Sequence, residues 1–313
     1  MRQRNIYLII LAFIIIGPFL QPRVMVTEML IFGIVAVASN IMIGYTGMLS
    51  FGQAMFFGIG AYVAGLLLKA GIPLIIAMPA AVLFVLVLSI AVGAFCVPRT
   101  GLYFICITFA FNQMFYFIAY SWTDLTGGED GLAGIPRPSL LDDRVYFYAF
   151  VAVVFLACIV AMKRIVDSPL GLIFQTIREN PERAAAVGYN VKLYKWISFT
   201  IASTFTGLAG TVYAMLYSIV PIDQIHWLKS GDFIFMTLLG GTGNFFGPII
   251  GAVAYIWMYD TFALFWGRWP LIMGIVFVVV VIYLRGGIVE LIDRAYGRYQ
   301  RAHRGRHNDD RVA

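Results

Sequence analysis

Ionisable side chains are scarce inside the long apolar stretches of this sequence, which limits the chemistry that those stretches could perform. Asp260 is the one carboxylate well inside such a stretch, at 233–284, and it is a candidate proton or sodium site because buried ionisable groups are costly and are kept for function. No Gly-x-x-x-x-Gly-Lys-Ser/Thr phosphate loop is present, so we expect no ATP hydrolysis by that route. His303 and His307 lie in an arginine-rich tail, and we expect neither a metal site nor a catalytic cluster.

The largest cluster of charged residues between two apolar runs spans 163–195, with six Lys or Arg and three acidic residues. Asp167-Ser168-Pro169 predicts the start of a helix, since Ser is a favoured N-cap and Pro fits the first helical position. A second cap-like start follows at Asn180-Pro181-Glu182, and Gly188 is well placed to end the helix. Apolar residues recur along one predicted helical face, at Leu170, Ile173, Phe174 and Ile177.

This segment therefore predicts a short, charged, amphipathic helical unit between two membrane spans. Such a unit could lie on the lipid surface or pack against its own bundle. It could also dock a soluble partner, as in helix-in-groove recognition.

The elements that must position these residues are membrane helices. The chain is 61% hydrophobic and 12% charged, which excludes a water-soluble globule, and its net charge of +6 has a membrane explanation rather than a nucleic-acid one. A span needs about 20 apolar residues. We predict an all-α polytopic bundle of about 8–10 spans as one permease domain at 1–284, followed by a basic tail at 285–313. The candidate spans are 5–22, two within 29–68, 70–98, 102–120, 146–162, 196–219, 231–246, 247–265 and 269–284.

The distribution of positive charge predicts the orientation of these spans. Ten crossings place both termini, Arg99 and the 163–195 segment on one face, which then carries sixteen of the 22 Lys and Arg residues. The positive-inside rule makes that face cytoplasmic.

Two glycine-rich stretches predict interruptions in the spans. One is Gly44-Tyr-Thr-Gly47 through Gln53, and the other is Gly240-Gly241-Thr242-Gly243, so 231–246 could be re-entrant rather than spanning. Transporters built from two halves often repeat a broken-helix element in each half.

Several sequence motifs resemble those of ABC importer permeases, and they occur in the order found in that family. Glu182-Arg-Ala-Ala-Ala-Val-Gly188 is similar to their Glu-Ala-Ala-x-x-x-Gly coupling loop, with Arg183 in place of Ala. The preceding Ser168-Pro-Leu-Gly-Leu-Ile-Phe-Gln-Thr-Ile-Arg-Glu-Asn180 resembles the branched-chain amino acid permease family, most closely its second permease subunit. Further agreement lies in the stretches Asn40–Gln53, Arg99–Thr108, Thr126–Leu132 and Leu239–Pro248.

The resemblance implies an assembly in the bacterial inner membrane. Two homologous permease subunits form the pathway, two ABC ATPases bind ATP and Mg²⁺ and dock on the coupling loop, and a periplasmic or surface binding protein delivers the substrate. No cofactor is expected in this chain, and its other partner is the lipid bilayer. Within 168–191 the resemblance assigns coupling to Ser168, Gly171, Arg178, Glu179, Glu182, Ala184, Ala185 and Gly188.

A zwitterionic substrate needs polar partners in the membrane, and helix breaks expose amide and carbonyl groups. We therefore expect the pathway to be lined by Gly44, Gly47, Ser50, Gln53, Thr108, Asn112, Gln113, Gly240, Gly241 and Gly243, although small and polar residues also serve helix packing. Two other functions remain open at this point. One is an importer of urea or short-chain amides, and the other is an ion-coupled secondary transporter that uses Asp260.

Overall fold

The computed structural model describes residues 3–138, 141–265, 267–283 and 286–288. The basic tail predicted at 285–313 lies almost entirely outside this part of the chain. The described residues form helices α1 (Gln3–Leu20), α2 (Arg23–Asn40), α3 (Gln53–Lys69), α4 (Leu74–Cys96), α5 (Leu102–Ser121), α6 (Thr123–Thr126), α7 (Arg144–Asp167), α8 (Pro169–Glu179), α9 (Pro181–Ala186), α10 (Val191–Tyr217), α11 (Trp227–Gly240), α12 (Gly247–Phe265) and α13 (Trp269–Tyr283). Strands β1 (Leu132–Ala133) and β2 (Ile219–Val220) pair antiparallel.

The helices confirm an all-α polytopic membrane protein. Within the described residues, five stretches are long and apolar enough to cross a bilayer: Arg23–Tyr45, Leu74–Cys96, Leu102–Ser121, Arg144–Asp167 and Val191–Tyr217. Shorter apolar helices accompany them at Ile10–Leu20, Gln53–Lys69 and Pro270–Val280. Each predicted span has a helix at its position in the described chain.

The two ends of α10 define the two faces of the bundle. This helix follows α9 directly and leads directly into β2, so α8 and α9 lie at one end of the bundle and the β1–β2 pair at the other. We call these ends the coupling face and the loop face.

The centre of the bundle consists of α2, α3 and α10, because small residues let these helices approach closely. A Cβ atom at Gly60 of α3 would lie 2.2 Å from the carbonyl oxygen of Gly207 in α10, and one at Gly210 would lie 1.9 Å from that of Phe57. The span of α2 is 89% buried, whereas that of α5 is only 22% buried. Helix α5 therefore lies at the periphery of this chain.

Both predicted helix breaks are confirmed. Helix α2 ends in a π-helical turn at Ile41–Tyr45, and α3 begins only at Gln53. Helix α11 ends at Gly240, and the next residue has a φ of +102°, which is strained for any side chain but tolerated by glycine.

Two helices begin earlier than the sequence predicts, and this changes the charge of the interior. Helix α2 starts at Arg23 rather than at 29, and α11 starts at Trp227 rather than at 231. Glu28 and Lys229 are consequently helical residues inside the bundle, in addition to Asp232. The expectation that the spans hold almost no ionisable groups besides Asp260 is therefore wrong.

Helix α11 also begins inside the bundle rather than at its loop face. The Ala54 amide in the first turn of α3 donates to the Ser230 hydroxyl at 2.9 Å, so these two helix starts lie side by side. With 14 residues, α11 is about 21 Å long, shorter than the roughly 30 Å hydrocarbon core. It therefore does not cross the whole bundle.

We expect Gly60→Ala to lower the free energy of unfolding by about 1–3 kcal/mol, because the added methyl group pushes the α3 and α10 backbones apart. Gly274→Ala in α13 is the matched control, since a Cβ atom there meets nothing within 4 Å. Thermal unfolding of the purified protein in detergent measures both. Equal midpoints for the two variants would contradict the close packing of α3 on α10.

Candidate coupling and pathway site

A tight turn joins α7 to α8 and sets the direction of the candidate coupling segment. Ser168 occupies the predicted N-cap position and Pro169 the first helical position, but the Ser168 hydroxyl donates to the Ile165 carbonyl at 2.6 Å instead of capping α8. Gly171 packs against the preceding turn, since a Cβ atom there would lie 2.0 Å from the Val166 carbonyl oxygen. Glycine is therefore required for α8 to fold back beside α7.

The predicted apolar stripe of α8 faces the bundle. Phe174 and Ile177 are fully buried, and Leu170 and Ile173 are partly buried. Of the arrangements that the sequence leaves open, packing against its own bundle is the one observed for this face. The opposite face, which includes Glu179, is exposed.

The short helix α9 follows its predicted caps. The Asn180 side chain accepts a hydrogen bond from the Arg183 amide at 2.9 Å, and Gly188, with a φ of +100°, follows the helix end. Ala184 is buried, whereas Glu182 and Ala185 are exposed. Only one side of α9 is therefore covered by this chain.

Exposed apolar side chains surround the end of α9. Val187 is 72% exposed and Tyr189 is 39% exposed, and Glu182 in the first turn of α9 is also exposed. We call Glu182, Val187, Gly188 and Tyr189 the coupling surface. Apolar groups rimmed by polar ones are typical of protein interaction sites.

Arg178 connects α8 to the first helix break. Its guanidinium donates to the carbonyl oxygen of Gly44, in the π-helical turn that ends α2. Gly47, with a φ of +74°, lies against the same side chain, since a Cβ atom there would lie 3.3 Å from Arg178 Cγ. Arg178 thus joins α8 directly to the broken end of α2.

The two helix breaks also contact one another. The Asn40 side chain donates to the Asn244 carbonyl at 3.2 Å, and a Cβ atom at Gly44 would lie 2.7 Å from the Thr242 carbonyl oxygen. Nearby, Lys163 of α7 lies 5.5 Å from the centroid of the Phe245 ring. We call residues 40–47 and 240–247 the glycine junction.

The glycines predicted to line the pathway differ in their surroundings. Gly240 packs against Gly247, and Gly241 packs against the backbone at Gly286, so both serve close backbone contacts. Gly243 is exposed, and a Cβ atom there would meet nothing within 4 Å. Their role in transport stays a prediction.

The predicted polar pathway residues lie near one another, around the start of α3. Asn112 is fully buried, and its side chain accepts from the Met55 amide at 3.0 Å and donates to the Ile225 carbonyl at 2.7 Å. It thereby ties α5 to α3 and to the loop before α11. The side chains of Ser50 and Thr108 also bond to nearby backbone.

Gln53 and Gln113 differ from these residues, because each keeps a buried side-chain oxygen without a hydrogen-bond partner in the described part of the chain. An unsatisfied buried oxygen is costly and is available to a ligand or water. Among the predicted polar pathway residues, these two glutamines therefore each have a side-chain oxygen that can still accept a hydrogen bond. Whether they line a pathway stays a prediction.

Sequence reasoning missed a polar cavity of about 200 Å³ in the loop-face half of the bundle. Glu28, Lys229 and Asp260 line it, together with four tyrosines and Gln224. Only Asp260 was recognised from the sequence. Glu28 and Lys229 lie outside the uncharged runs from which the spans were predicted, so no local signal placed them inside the bundle.

Residues 24–284 match the family described as "Branched-chain amino acid transport system / permease component". The "High-affinity branched-chain amino acid transport system permease protein LivM" of Escherichia coli (strain K12) is 25% identical over 286 residues, which cover 82% of this chain and 67% of that protein. The protein of the same name from Salmonella typhimurium (strain LT2) has the same identity and coverage. A "Probable branched-chain amino acid transport permease protein LivM" from Methanocaldococcus jannaschii is 26% identical, over 71% of this chain and 76% of that protein. No solved structure matches significantly.

We expect Asn112→Ala to lower the free energy of unfolding by about 1–3 kcal/mol, because it leaves the Met55 amide and the Ile225 carbonyl buried without their partner. Gln113→Ala is the matched control, since the oxygen that it removes has no partner. Thermal unfolding in detergent distinguishes them. A larger loss for the Gln113 variant would refute the bridging role of Asn112.

Proposed function

The chain belongs to the permease family of branched-chain amino acid transport systems, and from this membership we propose that it is the membrane-spanning permease subunit of an ABC importer for branched-chain amino acids. The observation that carries the proposal is the contact between Arg178 and Gly44, which joins a partly exposed amphipathic segment to a broken membrane helix. A permease driven by a separate ATPase requires such a connection between its docking segment and its pathway.

In this proposal the coupling surface receives a soluble ATPase subunit. The apolar stripe of α8 is already occupied by the bundle, so the exposed Val187 and Tyr189 at the end of α9, together with the exposed Leu172 of α8, are available to a partner. Glu182 adds a carboxylate beside them. ATP and Mg²⁺ are then bound by two ATPase subunits, and this chain contributes no catalytic group.

The rest of the assembly follows from the same role. A second, homologous permease subunit completes the pathway, and a binding protein delivers the substrate at the loop face. The coupling face is then cytoplasmic, in agreement with its excess of Lys and Arg, and both termini lie on that side of a bacterial inner membrane.

Transmission from the ATPase to the pathway runs through the glycine junction. When the ATPases close, they displace α8 and α9, and Arg178 carries this displacement to the π-helical turn of α2. Because Asn40 binds Asn244, the second break moves with the first. Two alternative packings of these breaks would give outward-open and inward-open states.

We expect Val187→Asp to abolish ATP-driven uptake of leucine by the complete assembly, because a charge replaces an apolar group at the ATPase contact. Thr100→Asp adds the same charge at another exposed position of the coupling face and serves as the control. Both variants should insert and unfold like the wild type, since neither side chain is buried. Uptake into proteoliposomes and co-purification of the ATPases are measured. Wild-type uptake by the Val187 variant would rule out this docking surface.

We expect Arg178→Ala to leave docking of the ATPases intact and to impair the transmission of their movement from α8 to the end of α2. The ATPases should still co-purify, because the coupling surface is intact, whereas leucine uptake per ATP hydrolysed should fall by about tenfold, since the link to Gly44 is lost. Gln175→Ala, at an exposed position of the same helix, is the control and should transport normally. An unchanged ratio of uptake to hydrolysis in the Arg178 variant would refute the proposed route.

A further inference from the structure

The polar cavity in the loop-face half of the bundle is formed by side chains of α2, α10, α11 and α12 together with Gln224. Glu28, Lys229 and Asp260 bring charges of both signs to it, and Tyr213, Tyr217, Tyr255 and Tyr259 supply aromatic rings and hydroxyl groups. Ionisable residues within membrane helices are expensive and mark substrate or ion routes by default. A cavity that collects several of them is therefore a candidate binding site.

One polar group in this cavity lacks a partner. Gln224 is only 8% exposed, and its Oε1 has no hydrogen-bond partner among the described residues. A buried amide oxygen left in this state costs free energy unless a ligand or water donates to it. This unsatisfied oxygen is independent of the charged residues and also points to an occupant with a hydrogen-bond donor.

The charged groups of the cavity are held in position by neighbours. Tyr217 donates a hydrogen bond to Glu28 at 2.7 Å. Lys229 Nζ lies 3.5 Å from a carboxylate oxygen of Asp232, which is outside the cavity lining, and 4.8 Å from the centroid of the Phe32 ring. Lys229 is thus paired with Asp232, a carboxylate that does not line the cavity, whereas the carboxylates of Glu28 and Asp260 do line it.

The size and the walls of the cavity restrict the ligand. Its volume of about 200 Å³ is below the range of about 300–1,000 Å³ that is typical of pockets for drug-sized molecules, so only a small molecule fits. Phe32, Met236 and Ile256 provide an apolar wall beside the charged groups. Tyrosine rings next to carboxylates are suited to an ammonium group, through both cation–π attraction and ion pairing.

From this arrangement we propose that the cavity binds an amino acid during transport, with its ammonium group between Glu28 and Asp260 and its carboxylate at Lys229. The apolar side chain then lies against Phe32, Met236 and Ile256. This assignment rests on the proposed importer function and adds to it a substrate-binding site within the bundle. A zwitterion uses both kinds of charge in the cavity, whereas an uncharged amide such as urea uses neither.

The first test compares transport with ATP hydrolysis in proteoliposomes that contain the complete assembly with its binding protein. We expect Glu28→Gln and Asp260→Asn each to lower the amount of radiolabelled leucine imported per ATP hydrolysed by about tenfold, while ATP hydrolysis stimulated by the binding protein stays within about twofold of wild type. A purely structural role would lower both activities together, and that outcome would overturn the proposal.

Asp232→Asn is the matched control for the charge at Lys229. It removes the ion pair but leaves every charged group that lines the cavity, so the ratio of uptake to hydrolysis should stay near that of the wild type. Lys229→Gln, which removes the cavity charge itself, should lower that ratio. An equal decrease of this ratio in the two variants would mean that transport depends on the ion pair between Lys229 and Asp232 and not on substrate binding at Lys229.

A second measurement detects binding without transport. In the assembly without binding protein or ATP, millimolar L-leucine should raise the unfolding temperature, isopentylamine should raise it less, and urea at the same concentration should leave it unchanged. Glu28→Gln should abolish the effect of isopentylamine. If the wild-type assembly imports leucine and all cavity variants import as much per ATP hydrolysed, the cavity assignment alone is overturned. If the wild-type assembly imports no leucine, the proposed function is overturned as well.

Discussion

The constraint on which this structure depends is that every backbone polar group within a bilayer needs a partner inside the protein. Continuous helices meet it by themselves, but α2 and α11 are interrupted, and the groups freed at their ends must be satisfied by other parts of the chain. Arg178 donates to Gly44, and Asn40 donates to Asn244. Asn112 serves the same purpose for Ile225, in the loop that leads into α11.

Because these partners come from distant parts of the chain, satisfying the breaks also connects the elements that must move together. The hydrogen bond that pairs the Gly44 carbonyl comes from α8, whose neighbour α9 carries the coupling surface. A rearrangement of α8 therefore leaves a buried carbonyl without its partner unless the end of α2 follows it. The energetic cost of an unpaired group in lipid is thus what couples the segment to the pathway in the proposed mechanism.

Much of this organisation could be predicted from the sequence, because local signals determine it. The helix starts after Ser168 and Asn180, the apolar stripe of α8 and the glycine-rich breaks each depend on a few neighbouring residues, and the structure shows each of them. The starts of α2 and α11 could not be predicted in this way. A search for uncharged runs ends a span at its first charged residue, whereas Glu28 and Lys229 are tolerated inside because Tyr217, Phe32 and Asp232 surround them, and these partners come together only in the folded bundle. The interior site was missed for the same reason.

The close packing of α3 on α10 has a mechanical consequence. At Gly60 and Gly210 the two backbones are so near that even a methyl group does not fit, so neither helix can slide or rotate past the other without a clash. We expect the two helices to move together. In the proposed mechanism, bending between α2 and α3 then falls on residues 46–52, which are not helical. Gly47 and Gly52 in this connection leave its backbone freer to bend than a continuous helix would be.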